Sequence, residues 1–169
     1  PQLHWIARSG AGLENIDVEA ANNRQIKVIN SPEGNADSVG EHVIGQLLML
    51  LHKLHTSHQH VQQGGWNREG YRGSELGAKT VGIIGYGNMG SAFARRLSGF
   101  GCRVLAHDIN KRGFDGEHGV EEVERAAIFE HCDVVSLHVP LTEITSKMVN
   151  TDWIQRFKNP VILINSSRG

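Results

Sequence analysis

Cysteine is scarce. Cys102 and Cys132 are the two in 169 residues, in neither a C-x-x-C pair nor a metal-type spacing, which excludes a disulfide framework. They read as reduced core thiols, and a cytoplasmic setting is expected. Long apolar runs are missing too. The longest, Val43–Leu51 (interrupted by Gln46) and Val161–Ile164, fall far short of the roughly 20 residues that span a bilayer, so no membrane partner is expected. Nor is there an excess of charge of one sign. Seventeen Lys and Arg against eighteen Asp and Glu leave a net charge of −1, without the electrostatic footprint of a nucleic-acid binder. Aromatic residues make up only 6%, and Trp5, Trp66 and Trp153 stand apart rather than forming a stacking array. Low-complexity tracts and internal repeats are absent, and a chain 39% apolar and 21% charged has the balance of a globular domain. Neither an initiator Met nor a secretory signal opens it.

Glycine, by contrast, is abundant, at 20 of 169 residues against a usual share of about 7%. Something requires tight backbone turns. Apolar residues clump into short runs separated by helical stretches, the pattern of strands alternating with helices around a parallel sheet. His4–Ala7 and Ile26–Ile29 read as strands flanking a small helix near Glu14–Asn22. After the turn residues Ser31-Pro32-Glu33-Gly34, apolar positions Val39, Val43, Leu47, Leu50, Leu51 and Leu54 recur at helical spacing. They predict one helix from about Asn35 to Gln63, roughly 40 Å long. Beyond Gly64-Gly65 the reading is strand Thr80–Ile84, helix Asn88–Phe100, strand Arg103–His107 and helix Val120–Glu130. Strand Asp133–Leu137, a short helix Thr151–Phe157 with Thr151 as N-cap, and strand Val161–Ile164 follow. The expected fold is α/β, a Rossmann-type doubly wound parallel sheet.

Gly85-Tyr86-Gly87-Asn88-Met89-Gly90 fits G-x-G-x-x-G between a strand and a helix, with Asp108 at the end of the next strand, 18 residues after Gly90. That context makes it a dinucleotide fingerprint. Gly85 allows the tight turn, Gly87 lets backbone approach a pyrophosphate, and Gly90 lets helix and strand pack closely. The helix N-terminus offers N–H groups to the phosphates. Asp108 would accept from the adenosine ribose hydroxyls and repel a 2′-phosphate, which favours NAD over NADP, although Lys111 and Arg112 follow closely.

Four further segments occur in order: Arg8-Ser9-Gly10-Ala11-Gly12-Leu13-Glu14-Asn15-Ile16-Asp17, Gly34–His42, His138-Val139-Pro140-Leu141-Thr142 and Asn165-Ser166-Ser167-Arg168-Gly169. With the fingerprint they resemble the D-isomer-specific 2-hydroxyacid dehydrogenases, a family that includes D-3-phosphoglycerate dehydrogenases. The resemblance implies that residues 1–34 are the end of a flavodoxin-like substrate domain and its hinge, and 35–169 an NAD-binding domain incomplete at its C-terminus. It implies a catalytic Arg168 that holds the substrate carboxylate and carbonyl, and substrate-carboxylate binding by the Ala11-Gly12 backbone. Asn88 and Met89 match the phosphate-contacting turn, Val139 and Pro140 the wall beside the ribose, and Ser166 and Ser167 the nicotinamide side. His138 reads as cofactor-proximal rather than as a proton donor. Ser166-Ser167, where Thr-Ala or Cys-Ala is commoner, and Glu143-Ile144 after P-L-T are mild departures. The family's acid/base histidine and its glutamate partner are expected outside this chain, so these 169 residues alone should not turn over.

The implied reaction is hydride transfer between NAD and a small 2-hydroxy or 2-keto acid, first of all 3-phospho-D-glycerate at the entry to serine biosynthesis. Glyoxylate or hydroxypyruvate reduction is the enzymatic alternative, and a non-catalytic NAD-sensing, corepressor-like module the alternative from another class. A homodimer through the 35–63 helix region is expected by the same resemblance. His52, His55, His58 and His60 are dense, but no Asp or Glu lies between Glu41 and Glu69 to support a zinc site. No metal is expected.

Overall fold

The computed structural model describes residues 3–167. Its first unit is small: strand β1 (Trp5–Arg8), helix α1 (Val18–Asn23) and strand β2 (Lys27–Asn30), with β1 and β2 parallel and Trp5 opposite Lys27. The Asp17 carboxylate caps α1, accepting from Ala20 N at 2.8 Å, and this capping requirement starts the helix later than the apolar pattern suggested.

The predicted 40 Å helix is in fact two. Helix α2 (Ala36–Leu51) ends where Lys53 turns left-handed at φ 53°, and α3 (Leu54–Gln62) follows. The reason lies in what each half buries. Val43, Leu47 and Leu51 enter the core, whereas α3 buries nothing, so packing cannot hold the second half in line with the first. The returning loop then ties down the break through one backbone and one side-chain contact. Ser74 N donates to the Leu51 carbonyl at 3.0 Å, and Lys53 Nζ to that of Gly70 at 3.0 Å.

The second unit is a five-stranded parallel sheet in the order β5-β4-β3-β6-β7. Its elements are β3 (Thr80–Ile84), α4 (Asn88–Leu97), β4 (Arg103–His107), β5 (Val120–Glu122), α5 (Arg125–His131), β6 (Val134–Leu137), α6 (Thr151–Ile154) and β7 (Ile162–Asn165). Side chains alternate between two cores, as the pleat dictates. Val81, Ile83, Val104 and Ala106 face α2 and α4, while Ile84, Leu105, Val135 and Leu137 face α5 and α6. A sheet apolar on both faces must be covered on both, which is the doubly wound arrangement. Truncating the fully buried Leu47 or Phe93 to Ala should cost about 2–5 kcal/mol.

Two further boundaries differ from expectation. Val120–Glu122 is an edge strand rather than the start of a helix, because Val120 pairs with Val104 and is buried. The cap of α6 is Asn150, whose Oδ1 accepts from Trp153 N at 2.9 Å, rather than Thr151. Cys102 and Cys132 are free thiols. Burial, with Asp133 beside it, pushes the Cys132 thiol up to about 12. Among the described residues, no helix is long and apolar enough to cross a membrane, and no group of three or more His, Cys, Asp or Glu could hold a metal.

Candidate functional site

Strand order reverses between β3 and β6, and in an open parallel sheet the crevice beyond the carboxyl ends of such strands is where ligands bind. The turn after β3 carries Gly85-Tyr86-Gly87, and that after β6 carries His138-Val139-Pro140. Gly85 has φ +94°, and a Cβ there would stand 2.5 Å from the His138 carbonyl oxygen, so only glycine fits between the two turns. A Cβ at Gly90 would press into the Gly85 carbonyl and come within 3.2 Å of Ile83 Cγ2, so glycine lets α4 begin hard against β3. Around a Cβ at Gly87 there is no heavy atom within 4 Å. Gly87 is also the N-cap of α4 and brings no side-chain cap, which leaves the helix's first N–H groups, with their partial positive charge, facing that open space.

Those groups open onto a cavity of about 520 Å³ lined on one side by Gly87, Asn88, Met89, His138, Val139, Pro140, Ser166 and Ser167. Ala11, Gly12, Leu13 and Glu14 line the opposite wall. The end of β2 and the turn after it fix that wall. Asn30 Nδ2 donates to the Ala11 carbonyl at 2.7 Å, and Ser31 N to that of Gly10 at 3.1 Å. Of the residues singled out in the sequence, ten meet in this cavity, and Gly85 and Gly90 shape its floor from behind. Asp108 stands at the tip of the neighbouring β4. Arg168 lies outside the described residues.

Asp108 is tightly organised. Its Oδ2 accepts from Tyr86 N at 2.7 Å and its Oδ1 from Asn110 N and Lys111 N at 2.8 and 2.9 Å. Burial alone would raise its pKa, but these backbone donors and the nearby His107 bring it below the usual carboxylate value. Asp108 is thus an anion fixed beside the fingerprint turn.

Behind the cavity wall lies a network that motif reading did not find. Fully buried Ser136 meets His138 Nε2 at 2.9 Å, and Ser166 Oγ meets Nδ1 at 3.1 Å. Ser167 Oγ donates to the Leu137 carbonyl at 3.0 Å and accepts from Val139 N at 3.2 Å, so serine hydroxyls continue the β6–β7 pairing past the last ladder pair, Leu137–Asn165. Burial lowers the His138 pKa to about 4, so its ring is neutral at physiological pH. The available clue was Ser136, two residues before His138 on the same strand face and polar in an otherwise apolar strand. Tyr86 was also missed. An unspecified position in the fingerprint, it is fully buried, stacked on Phe114 at 4.3 Å, and anchors the loop that follows Asp108.

The sequence model of the family described as D-isomer specific 2-hydroxyacid dehydrogenase, NAD binding domain, matches residues 44–169. A hydroxypyruvate reductase of Thermotoga maritima is 40% identical over 99% of this chain and 54% of its own length. A D-lactate dehydrogenase of Escherichia coli K12 is 37% identical over 99% of this chain and 51% of its own. The crystal structure of an Aquifex aeolicus D-lactate dehydrogenase complexed with NAD and lactic acid superposes with a TM-score of 0.89 at 32% identity, covering all of this chain and 51% of that one. The chain spans about half the length of the curated relatives it matches. The glycine turn, the anionic Asp108 and the reversal of strand order thus occur together in a chain that belongs to the D-isomer specific 2-hydroxyacid dehydrogenases, as part of which it carries an NAD-binding domain.

Proposed function

We propose that this chain works within an NAD-dependent D-2-hydroxyacid dehydrogenase, with the dinucleotide along the fingerprint turn and the acid substrate between it and the Ala11-Gly12 loop. The observation that carries this reading is the cavity itself, where the fingerprint turn and that loop face each other across about 520 Å³. NAD fits the residues present: the space beside Gly87 is open, α4 starts without a side-chain cap, and Asp108 is anionic. When bound, NAD supplies or accepts a hydride at the nicotinamide.

The roles of the chain's own residues follow. The N–H groups of Asn88, Met89 and Gly90 hold the diphosphate, and Asp108 takes the ribose hydroxyls. Val139 and Pro140 wall the ribose side, and Ser166 and Ser167 the nicotinamide side. Backbone N–H groups of Ala11 and Gly12 bind the substrate carboxylate, and Arg168 orients carboxylate and carbonyl for hydride transfer. His138 has both ring nitrogens engaged by serines and is neutral, so it does not carry the proton step, which the family resemblance assigns to a histidine outside this chain. Residues 1–34 act as the end of the substrate domain and hinge, residues 35–169 as the NAD domain, with closure near Ser31-Pro32 excluding water from the reaction. A second copy covers the exposed side chains of Met49, Leu50, Leu54 and Val61 on α2 and α3, in a cytoplasmic homodimer.

For the substrate, 3-phospho-D-glycerate is the reading by resemblance of motifs, and hydroxypyruvate is the reading favoured by the Thermotoga relative. The test is NADH oxidation by the full-length protein with 3-phosphohydroxypyruvate, hydroxypyruvate, glyoxylate and pyruvate in parallel, beside Arg168→Ala. Turnover on one of them, lost in the variant, is expected and names the substrate. Bound NADH without turnover on any would favour an NAD-sensing module or a 2-keto acid outside this set.

A further inference from the structure

The chain wraps around the Asp108 carboxylate and sets two cations beside it, Lys111 and Arg112. By charge alone, such a pair next to the ribose-binding acid would welcome the 2′-phosphate that distinguishes NADP. Neither cation is free to do so. Lys111 Nζ sits 3.1 Å from Glu117 Oε2, over the ring of Tyr86 at 4.8 Å and that of Phe114 at 5.6 Å. Arg112 Nη1 donates to the Asp108 backbone carbonyl at 2.8 Å, and its Nη2 stands 3.7 Å from Glu124 Oε1. Glu122 lies 4.0 Å from the same guanidinium, but its other oxygen accepts from Gly113 N and Phe114 N at 2.8 and 2.9 Å. Its first task is therefore to hold the loop.

We propose that Glu117 and Glu124 are specificity-determining residues. By occupying the charges of Lys111 and Arg112, they add to the discrimination against NADP that the aspartate exerts by its own charge. The inference rests on the reading of this cleft as the NAD site. The geometry supports a division of labour. Glu117 holds the lysine beside the Tyr86–Phe114 stack, whose rings give the ammonium a second resting place. Glu124, at the start of α5, acts on the arginine from the neighbouring strand–helix turn. Both pairs are largely solvated, so each is individually weak, and the two must be removed together to see the full effect.

The experiment is fluorescence titration of the full-length protein with NADH and NADPH, comparing the unaltered protein with Glu117→Gln/Glu124→Gln. Each substitution should tighten NADPH by about two- to fivefold, while NADH stays within about twofold. Two companions separate redirected cations from simple loss of negative charge. Glu121→Gln removes the same charge from a carboxylate bound to Arg103 at 2.7 Å and should leave the NADPH to NADH ratio unchanged. Adding Lys111→Ala and Arg112→Ala to the double variant should erase the gain. NADPH affinity unchanged in a double variant that still binds NADH overturns the proposal. So does a gain that survives loss of both cations. If the unaltered protein binds neither dinucleotide, the NAD reading of the cleft fails first and takes the inference with it.

Discussion

Replacing Gly87 by alanine should separate the cleft from the fold. The backbone of Gly87 has φ −85° and ψ −156°, a region that side chains tolerate, and a Cβ there would meet no heavy atom within 4 Å. Alanine is a somewhat poorer N-cap than glycine, so the cost to stability should be about 1 kcal/mol or less, or about 2–4 °C in Tm for a domain of this size. The new methyl, however, occupies the space into which the first N–H groups of α4 point. Charge-assisted hydrogen bonds of that kind are worth about 1.5–3 kcal/mol each. Lifting a diphosphate off one or two of them would cost about 2–4 kcal/mol, a loss of roughly 30- to 1,000-fold in affinity. Gly90→Ala is the opposite perturbation. Its Cβ would meet the Gly85 backbone and Ile83 Cγ2, so α4 must move away from β3 at a cost of about 1–3 kcal/mol or more. Thermal melts and NADH titrations on both variants provide the comparison. A Gly87→Ala protein that melts normally and binds NADH within twofold of the unaltered protein would refute the placement of the diphosphate.

Asp108→Asn should weaken NADH binding at least tenfold, and calorimetric titration checks it; unchanged affinity removes Asp108 from the ribose site. Because the folded Asp108 carboxyl lies below its ordinary value of 3.8, its stabilising contribution is complete above that value and is lost as pH falls through the folded pKa, so acid melts of Asp108→Asn should lose less stability below pH 3.8 than the unaltered protein. His138 titrates with the same sign in a higher pH window. The unfolded ring binds a proton near pH 6.5 but the folded ring only near 4, so stability falls as pH drops between those values, by at most about 3 kcal/mol. Urea titrations at pH 5 and 7 should show that loss halved or better in His138→Gln, and an imidazole resonance titrating near 6.5 would contradict it. Leu50→Glu/Leu54→Glu should turn a homodimer into monomer by sedimentation without lowering NADH affinity, and an unchanged sedimentation coefficient would exclude this face as the contact.

The sheet was legible wherever a strand is buried on both faces. Thr80–Ile84 and Arg103–His107 read correctly because five consecutive residues of β-compatible character between turn signals have few other solutions. Elements at the rim were not legible. Val120–Glu122 reads as helix because a three-residue strand shows no period, and only its pairing with Val104 and Ala106 through Glu122 makes it a strand. The break at His52-Lys53 was invisible for a related reason. Leu50, Leu51 and Leu54 keep helical spacing across it, yet only Leu51 is buried, and a pattern of apolar letters cannot distinguish a side chain that packs from one left facing outward.

The site divides along the same line between backbone and side chain. Whatever depends on backbone approach was written in the motifs, because glycine is the only residue that tolerates such proximity. The collisions a Cβ would make at Gly85 and Gly90, and the open space at Gly87, assign each glycine a different task. Side-chain networks leave no such mark. Ser136 and His138 lie on and just after β6 and Ser166 just after β7, and the bond that closes the network, Ser166 to His138, exists only once β6 and β7 pair. The same holds for Lys111 and Arg112. In sequence they are two cations after an acid, and their charge argues for NADP; in the fold their partners Glu117, Glu122 and Glu124 surround them. Charge read along a chain therefore predicts ligand preference only for cations that the fold leaves without partners, and around Asp108 the fold supplies a carboxylate to each.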